Sequence, residues 1–176
     1  MKFKFKIQQY QTDAVENTVS VFTGQPSHRV AEYRRDLGKR SQQQIDFEGE
    51  TVFRNHHIEL DGRTLLKNIN AIQNLYDITP SATLSKGVGV VNLDIEMETG
   101  TGKTYVYIKT MFELNKQYGW SKFIIVVPSI AIREGVAKSF KMLEEHFMEY
   151  YGKRLVGLSI TVATCNSSIV SLPIRD

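Results

Sequence analysis

Apolar residues recur along this chain first at helical spacing and later as short unbroken runs. Residues 3 to 7 alternate and read as a short strand with Phe3, Phe5 and Ile7 on one face. From Tyr10 to Phe22 the positions Tyr10, Ala14, Val15, Val19 and Phe22 repeat on one helical face, and Gly24, Pro26 and Ser27 end that helix. From Asp61 to Tyr76 the residues Leu65, Leu66, Ile69, Ile72 and Leu75 share a side, and Thr79, Pro80 and Ser81 break the pattern. The texture then changes. Val88 to Ile95 is rich in aliphatic and β-branched residues and predicts a buried strand. A glycine-bearing loop follows, then a helix from about Lys103 to Tyr118 that Gly119 closes just past its end. Lys122 to Val127 predicts a second apolar strand, stopped by Pro128. A helix from about Ile130 to Tyr150 and a strand from Leu155 to Ala163 complete the series. Strand, helix, strand, helix, strand is the order of a parallel sheet with crossover helices, so the expected class is α/β.

Composition narrows this only a little. The 176 residues, 41% of them apolar, suffice for about one ordinary domain core. The net charge of +3 is mild. Residues 28 to 68 are polar, and within them Arg29, Arg34, Arg35, Lys39 and Arg40 oppose only Glu32 and Asp36. That local excess equals the excess of the whole chain. It reads either as a solvated helix face or as a basic arm for nucleic acid, with Arg34 and Arg35 central to the second reading. The neighbours His56 and His57 lack a third ligand at a useful spacing for a metal. The one cysteine, Cys165, has no disulfide partner in the chain and reads as a small apolar core residue. No run of about 18 apolar residues exists, and the alternating N-terminus is no signal peptide, so no membrane association and a cytoplasmic location are expected.

The candidate chemistry lies in Met97-Glu98-Thr99-Gly100-Thr101-Gly102-Lys103-Thr104. A phosphate-binding loop reads G-x-x-x-x-G-K-[ST]; here Met97 replaces the first glycine. That position lies where the chain leaves the strand and need not touch phosphate. Gly100 and Gly102 matter more, because backbone N–H groups approach an anion closely only where no Cβ intervenes. The N–H groups of residues 100 to 104 can form the anion nest, supported by the positive end of the next helix. Lys103 can reach the β- and γ-phosphates of ATP, and the Thr104 hydroxyl can hold Mg²⁺.

The same loop, followed by the stretch from Phe123 to Val136, closely resembles the restriction subunit of type III restriction-modification enzymes, a superfamily 2 helicase-like motor fused to a nuclease. The likeness runs from about Leu93 to Tyr151, with a weaker match near the N-terminus. It implies a RecA-like parallel sheet. It implies ATP-driven work on DNA and a modification methyltransferase as partner. Residues 97 to 104 look like helicase motif I. Tyr10-Gln11-x-x-Ala14-Val15 looks like the glutamine motif, in which Gln11 would bond the adenine edge; Gln8 stands where helicases often have arginine. Val127-Pro128-Ser129 looks like motif Ia, which touches the nucleic-acid backbone. The residues alone give a parallel reason for Ser129: a hydroxyl that opens a helix caps it, and leaves free N–H groups able to take a phosphate.

The expected layout is an N-terminal helical and irregular extension over residues 1–85, carrying the glutamine motif and the polar insert, then a partial, incomplete RecA-like ATPase domain over 86–176. An acidic Asp-Glu motif to fix Mg²⁺ and water is missing after Pro128, where the only acids are Glu134, Glu144, Glu145, Glu149 and Asp176. From about Lys153 the likeness ends, which fits a frame change, an early stop or a divergent strand. The competing classes are a repair or remodelling helicase, a P-loop kinase or other small NTPase, and a non-catalytic remnant that binds nucleotide only or nothing.

Overall fold

The structure is a computed structural model that describes residues 5–28, 55–85, 89–155, 160–162 and 172–175. The basic residues Arg29, Arg34, Arg35, Lys39 and Arg40, and the lone Cys165, lie outside the described residues.

Among the described residues four helices carry the fold, and each follows from its sequence. Helix α1 spans Gln9–Ser20 and buries Gln11, Val15 and Val19 along one side. Helix α2 spans Gly62–Leu75. Asp61 caps it: its carboxylate accepts from the Thr64 N–H at 2.9 Å, and hydrogen bonding from the Thr64 hydroxyl first and its N–H second holds the Asp61 carboxyl below its usual pKa. Helix α3 spans Lys103–Tyr118 and ends at Gly119, whose φ of 77° is the left-handed conformation that glycine adopts without a Cβ penalty. Helix α4 spans Ile130–Tyr151, with Ser129 as its N-cap and Gly152 as its C-cap. Leu65, Ile69 and Ile72 of α2 face the core as expected, whereas Leu75 is exposed.

Helix α3 is buried on two faces, and this shapes the core. On one face Ile108, Met111 and Phe112 join Val127, Val136, Phe140, Leu143 and Phe147 of the following strand and α4. The rings of Phe112 and Phe147 stack at 5.1 Å, and Phe112 and Tyr151 at 4.9 Å. On the other face Val106 and Tyr118 meet Val15, Val19, Val21, Phe22, Leu65 and Trp120. Ile108 and Leu65 are wholly buried, so truncating either to alanine should cost about 2–5 kcal/mol. Polar side chains stitch the N-terminal part together. Asn68 Nδ2 donates to the carbonyls of Val21 and Thr23, and Gln25 both accepts from the Glu59 N–H and donates to the His57 carbonyl.

The strands are shorter than the sequence suggests. The run Lys122–Val127 divides into β1, Lys122–Phe123, and β2, Ile125–Val127. The expected strand 155–163 becomes β3, Arg154–Leu155, and β4, Ile160–Val162, among its described residues. A further strand, β5, Leu172–Arg175, was not legible in the sequence. β2 pairs with β4 in parallel, Ile125 opposite Ile160 and Val127 opposite Val162. With α4 between them this is the strand–helix–strand unit expected of an α/β protein. β5 pairs antiparallel with β1 and β3.

Two expectations are corrected. Of the strand expected at residues 3 to 7, Phe5 to Ile7 is irregular; Phe5 instead sets its ring 5.3 Å from that of His146. The segment from Val88 to Ile95 is no buried strand either. Its described residues 89–95 join no ladder, and Val90 and Ile95 stand 56% and 48% exposed. Alternate residues Val91 and Leu93 still pack against the α1–α2 cluster. An apolar run becomes a strand only where another strand accepts its backbone hydrogen bonds, and none of the described strands lies alongside it. The parallel sheet among the described residues is therefore the single pair β2–β4, without a strand leading into the phosphate loop.

Candidate functional site

The loop from Met97 to Thr104 joins the irregular segment directly to α3. Gly100 and Gly102 hold φ of 85° and 88°, a region that side chains with a Cβ adopt at a cost. A Cβ built on Gly100 would meet nothing within 4 Å, so that side of the loop lies open to an incoming group. A Cβ on Gly102 would stand 2.5 Å from Gln11 Nε2. Conformation thus favours glycine at 102, and a Cβ there would have to displace the Gln11 amide.

Lys103 and Thr104 occupy the first turn of α3. Lys103 is exposed, and its ammonium donates to the Glu98 carbonyl at 2.6 Å. The Thr101 hydroxyl donates to the same carbonyl, also at 2.6 Å. Thr99 sits exposed in the turn before Gly100. The α3 N-terminus offers its first N–H groups with the positive end of the helix dipole, an arrangement suited to phosphate. These residues fit a nucleotide with Mg²⁺. In such loops Mg²⁺ takes a threonine hydroxyl and phosphate oxygens and keeps several waters, so it needs no cluster of protein acids. Among the described residues no group of three or more His, Cys, Asp or Glu could hold a metal ion. His56 stacks on His28 at 4.0 Å.

Helix α1 reaches this loop from a distant part of the chain. Gln11 is 9% exposed, and its Nε2 donates to the Thr101 carbonyl at 2.8 Å. The Tyr10 hydroxyl donates to the same oxygen at 3.1 Å. Deeper along the α1–α3 contact, the buried Lys109 ammonium donates to the Thr12 hydroxyl at 3.3 Å. The structure therefore brings Gln11, Thr101 and Gly102 together. The sequence places Tyr10 on the apolar face of α1 and at the head of the glutamine motif, but the bond of its hydroxyl is not legible there, because the acceptor is a main-chain carbonyl that no residue type announces.

Pro128 and Ser129 lie apart, at the junction of β2 and α4. Pro128 is exposed, and Ser129 Oγ accepts from the Ile132 N–H at 3.3 Å. The cap uses the Ser129 oxygen, so an external phosphate at this helix end would bond backbone N–H groups. Arg133 Nη2 pairs with its neighbour Glu134 at 2.8 Å on the exposed side.

Comparison with known proteins agrees with this geometry. The family model described as type III restriction enzyme, res subunit, matches residues 4–169. The Res subunit of the type III restriction-modification enzyme EcoP15I of Escherichia coli is 40% identical over 103 residues, 57% of this chain and 10% of that relative. The EcoPI Res subunit of Escherichia phage P1 gives the same figures. The StyLTI Res subunit of Salmonella typhimurium is 51% identical over 63 residues, 34% of this chain and 6% of the relative. The chain thus spans about a tenth of the length of the first two relatives or less of the third. No helix among the described residues is long and apolar enough to cross a membrane. With a match across nearly its whole length, the chain belongs to the family of type III restriction enzyme res subunits and forms a helicase-like part of such a subunit.

Proposed function

We propose that the chain binds ATP with Mg²⁺ on residues 97–104 and serves as the nucleotide-binding part of a DNA-dependent translocase. The observation that carries this reading is the loop itself: Gly100 and Gly102 left-handed, the Gly100 side open, and Lys103-Thr104 opening α3. Thr99, Gly100, Thr101 and Gly102 supply the nest, Lys103 the charge on the β- and γ-phosphates, and Thr104 the Mg²⁺ ligand. Gln11 reads adenine through Oε1, since its Nε2 is spent on Thr101. The finer fold, a RecA-like parallel sheet, draws support from the parallel β2–α4–β4 unit. In this reading residues 1–85 are the extension and 86–176 the partial motor domain, joined through the core shared by α1, α2 and α3.

The partners proposed are DNA and a modification methyltransferase subunit. The location proposed is cytoplasmic. DNA contact is assigned to Pro128 and Ser129 at the exposed end of α4, and to Arg34 and Arg35. Neutralising Arg34, Arg35 and Arg40 should flatten the salt dependence of DNA binding by up to about 0.9 log unit per lost phosphate contact. An identical slope would return that stretch to a solvated helix face.

The decisive experiment is calorimetry of ATP against the chain and Lys103→Ala. One ammonium neutralises much of the β,γ-phosphate charge, so affinity should fall at least tenfold, about 1.4 kcal/mol. Equal affinity would remove the phosphate-loop assignment.

A further inference from the structure

Two side chains of α1 converge on a single carbonyl of the phosphate loop. Gln11 Nε2 and the Tyr10 hydroxyl both donate to the Thr101 oxygen, at 2.8 and 3.1 Å, across 90 and 91 residues of chain. The peptide joining Thr101 to Gly102 is trans, as are all the described peptide bonds. In a planar trans peptide the carbonyl and the following N–H point in opposite directions. Holding the Thr101 oxygen toward α1 therefore turns the Gly102 N–H away from α1. Glycine at 102, with φ of 88°, could take a rotated peptide about as well, so the two bonds from α1 favour one orientation over another.

We propose that Tyr10 and Gln11 are positioning residues for the phosphates: they hold the Thr101–Gly102 peptide so that the Gly102 N–H faces an anion seated on the loop. The proposal rests on the nucleotide reading of that loop and deepens it. It gives α1 a task that is independent of the base, so the ligand chemistry it serves is the polyphosphate. The two donors are anchored differently. Gln11 is held by burial against α3, whereas Tyr10 is 48% exposed and reaches the loop through this bond. Removing the Tyr10 hydroxyl thus perturbs the loop with little effect on the core.

The test uses inorganic tripolyphosphate, which has no base to read, titrated into the 176-residue chain. Tyr10→Phe deletes one donor, and Gln11→Met deletes the other at similar shape. Each should weaken tripolyphosphate roughly three- to tenfold, the range for one lost hydrogen bond. Tyr10→Phe should weaken ATP and GTP by the same factor while leaving the melting temperature in place. In both variants the Gly102 amide resonance should move in a ¹⁵N-correlation spectrum. Unchanged tripolyphosphate affinity in Tyr10→Phe, beside a Lys103→Ala variant that has lost binding, overturns the proposal and leaves the loop assignment standing. A parent chain whose tripolyphosphate binding does not depend on Lys103 overturns the loop assignment, and this proposal with it.

Discussion

A Cβ placed on Gly102 stands 2.5 Å from the side-chain nitrogen of Gln11, so a side chain at 102 would push the Gln11 amide off its place on the loop. Gly102 also holds φ at 88°, where an L-residue is strained by about 1–2 kcal/mol. Gly102→Ala should therefore lower ATP affinity at least tenfold. The double variant Gly102→Ala with Gln11→Ala should lose less than the sum of the single losses, because removing Gln11 clears the space. Strictly additive losses in calorimetry would show that conformation, not contact, sets the requirement for glycine.

Gln11 should also select the base. Its Nε2 is bound to the Thr101 carbonyl, which leaves Oε1 to accept from the adenine amine. Guanine presents a carbonyl at the matching position, and two acceptors repel. Gln11→Met should narrow the preference for ATP over GTP in addition to weakening both. An unaltered ATP:GTP ratio would place base selection elsewhere.

Isolated in solution, the 176-residue chain should bind ATP but turn it over poorly. Hydrolysis needs a carboxylate to fix Mg²⁺ and orient water. Of the acids after Pro128, Glu134, Glu144, Glu145 and Glu149 all lie on α4 and none follows a strand that pairs beside the loop. Positive charge on the departing phosphoryl is worth about 10³ to 10⁵ in rate. The nearest candidate after the loop, Arg133, is paired with Glu134 at the first turn of α4. A phosphate-release assay with and without duplex DNA, with Lys103→Ala as blank, checks this. Lys103-dependent turnover near 1 s⁻¹, the low end for kinases at about 1–100 s⁻¹, would reveal a catalytic carboxylate of different origin.

His146 gives the fold a dependence on pH. Burial lowers its pKa below the ordinary 6.5, with Lys109 adding to the effect and Glu149 opposing it. Its ring lies against Phe5 and Phe147, and its Nε2 meets the Tyr105 hydroxyl at 3.3 Å. The native state therefore binds the His146 proton less tightly than the unfolded chain does. Its contribution to stability is present above pH 6.5 and is lost as the pH falls through 6.5 toward the lowered native value. Urea unfolding at pH 7.5 and 5.5 should show a smaller drop for His146→Gln than for the parent. Equal drops would assign the acid sensitivity to other groups.

The sequence by itself determined the helices and the chemistry of the loop. Both are local: a helix closes its own hydrogen bonds within four residues, so periodicity, the cap Ser129 and the stop at Gly119 suffice to place it. Gly100, Gly102, Lys103 and Thr104 were legible for the same reason, because the loop is one short contiguous stretch. Tertiary structure alone decided the strands. The run ending at Ile95 and the run Ile125–Val127 are both rich in aliphatic residues, yet among the described residues only the second has a partner, Ile160–Val162 across α4, and only the second is a strand. It also decided that Tyr10 and Gln11 reach Thr101, a contact between side chains and a main-chain carbonyl some ninety residues away. A backbone acceptor is present at every position, so which one is used depends on how α1 packs against α3.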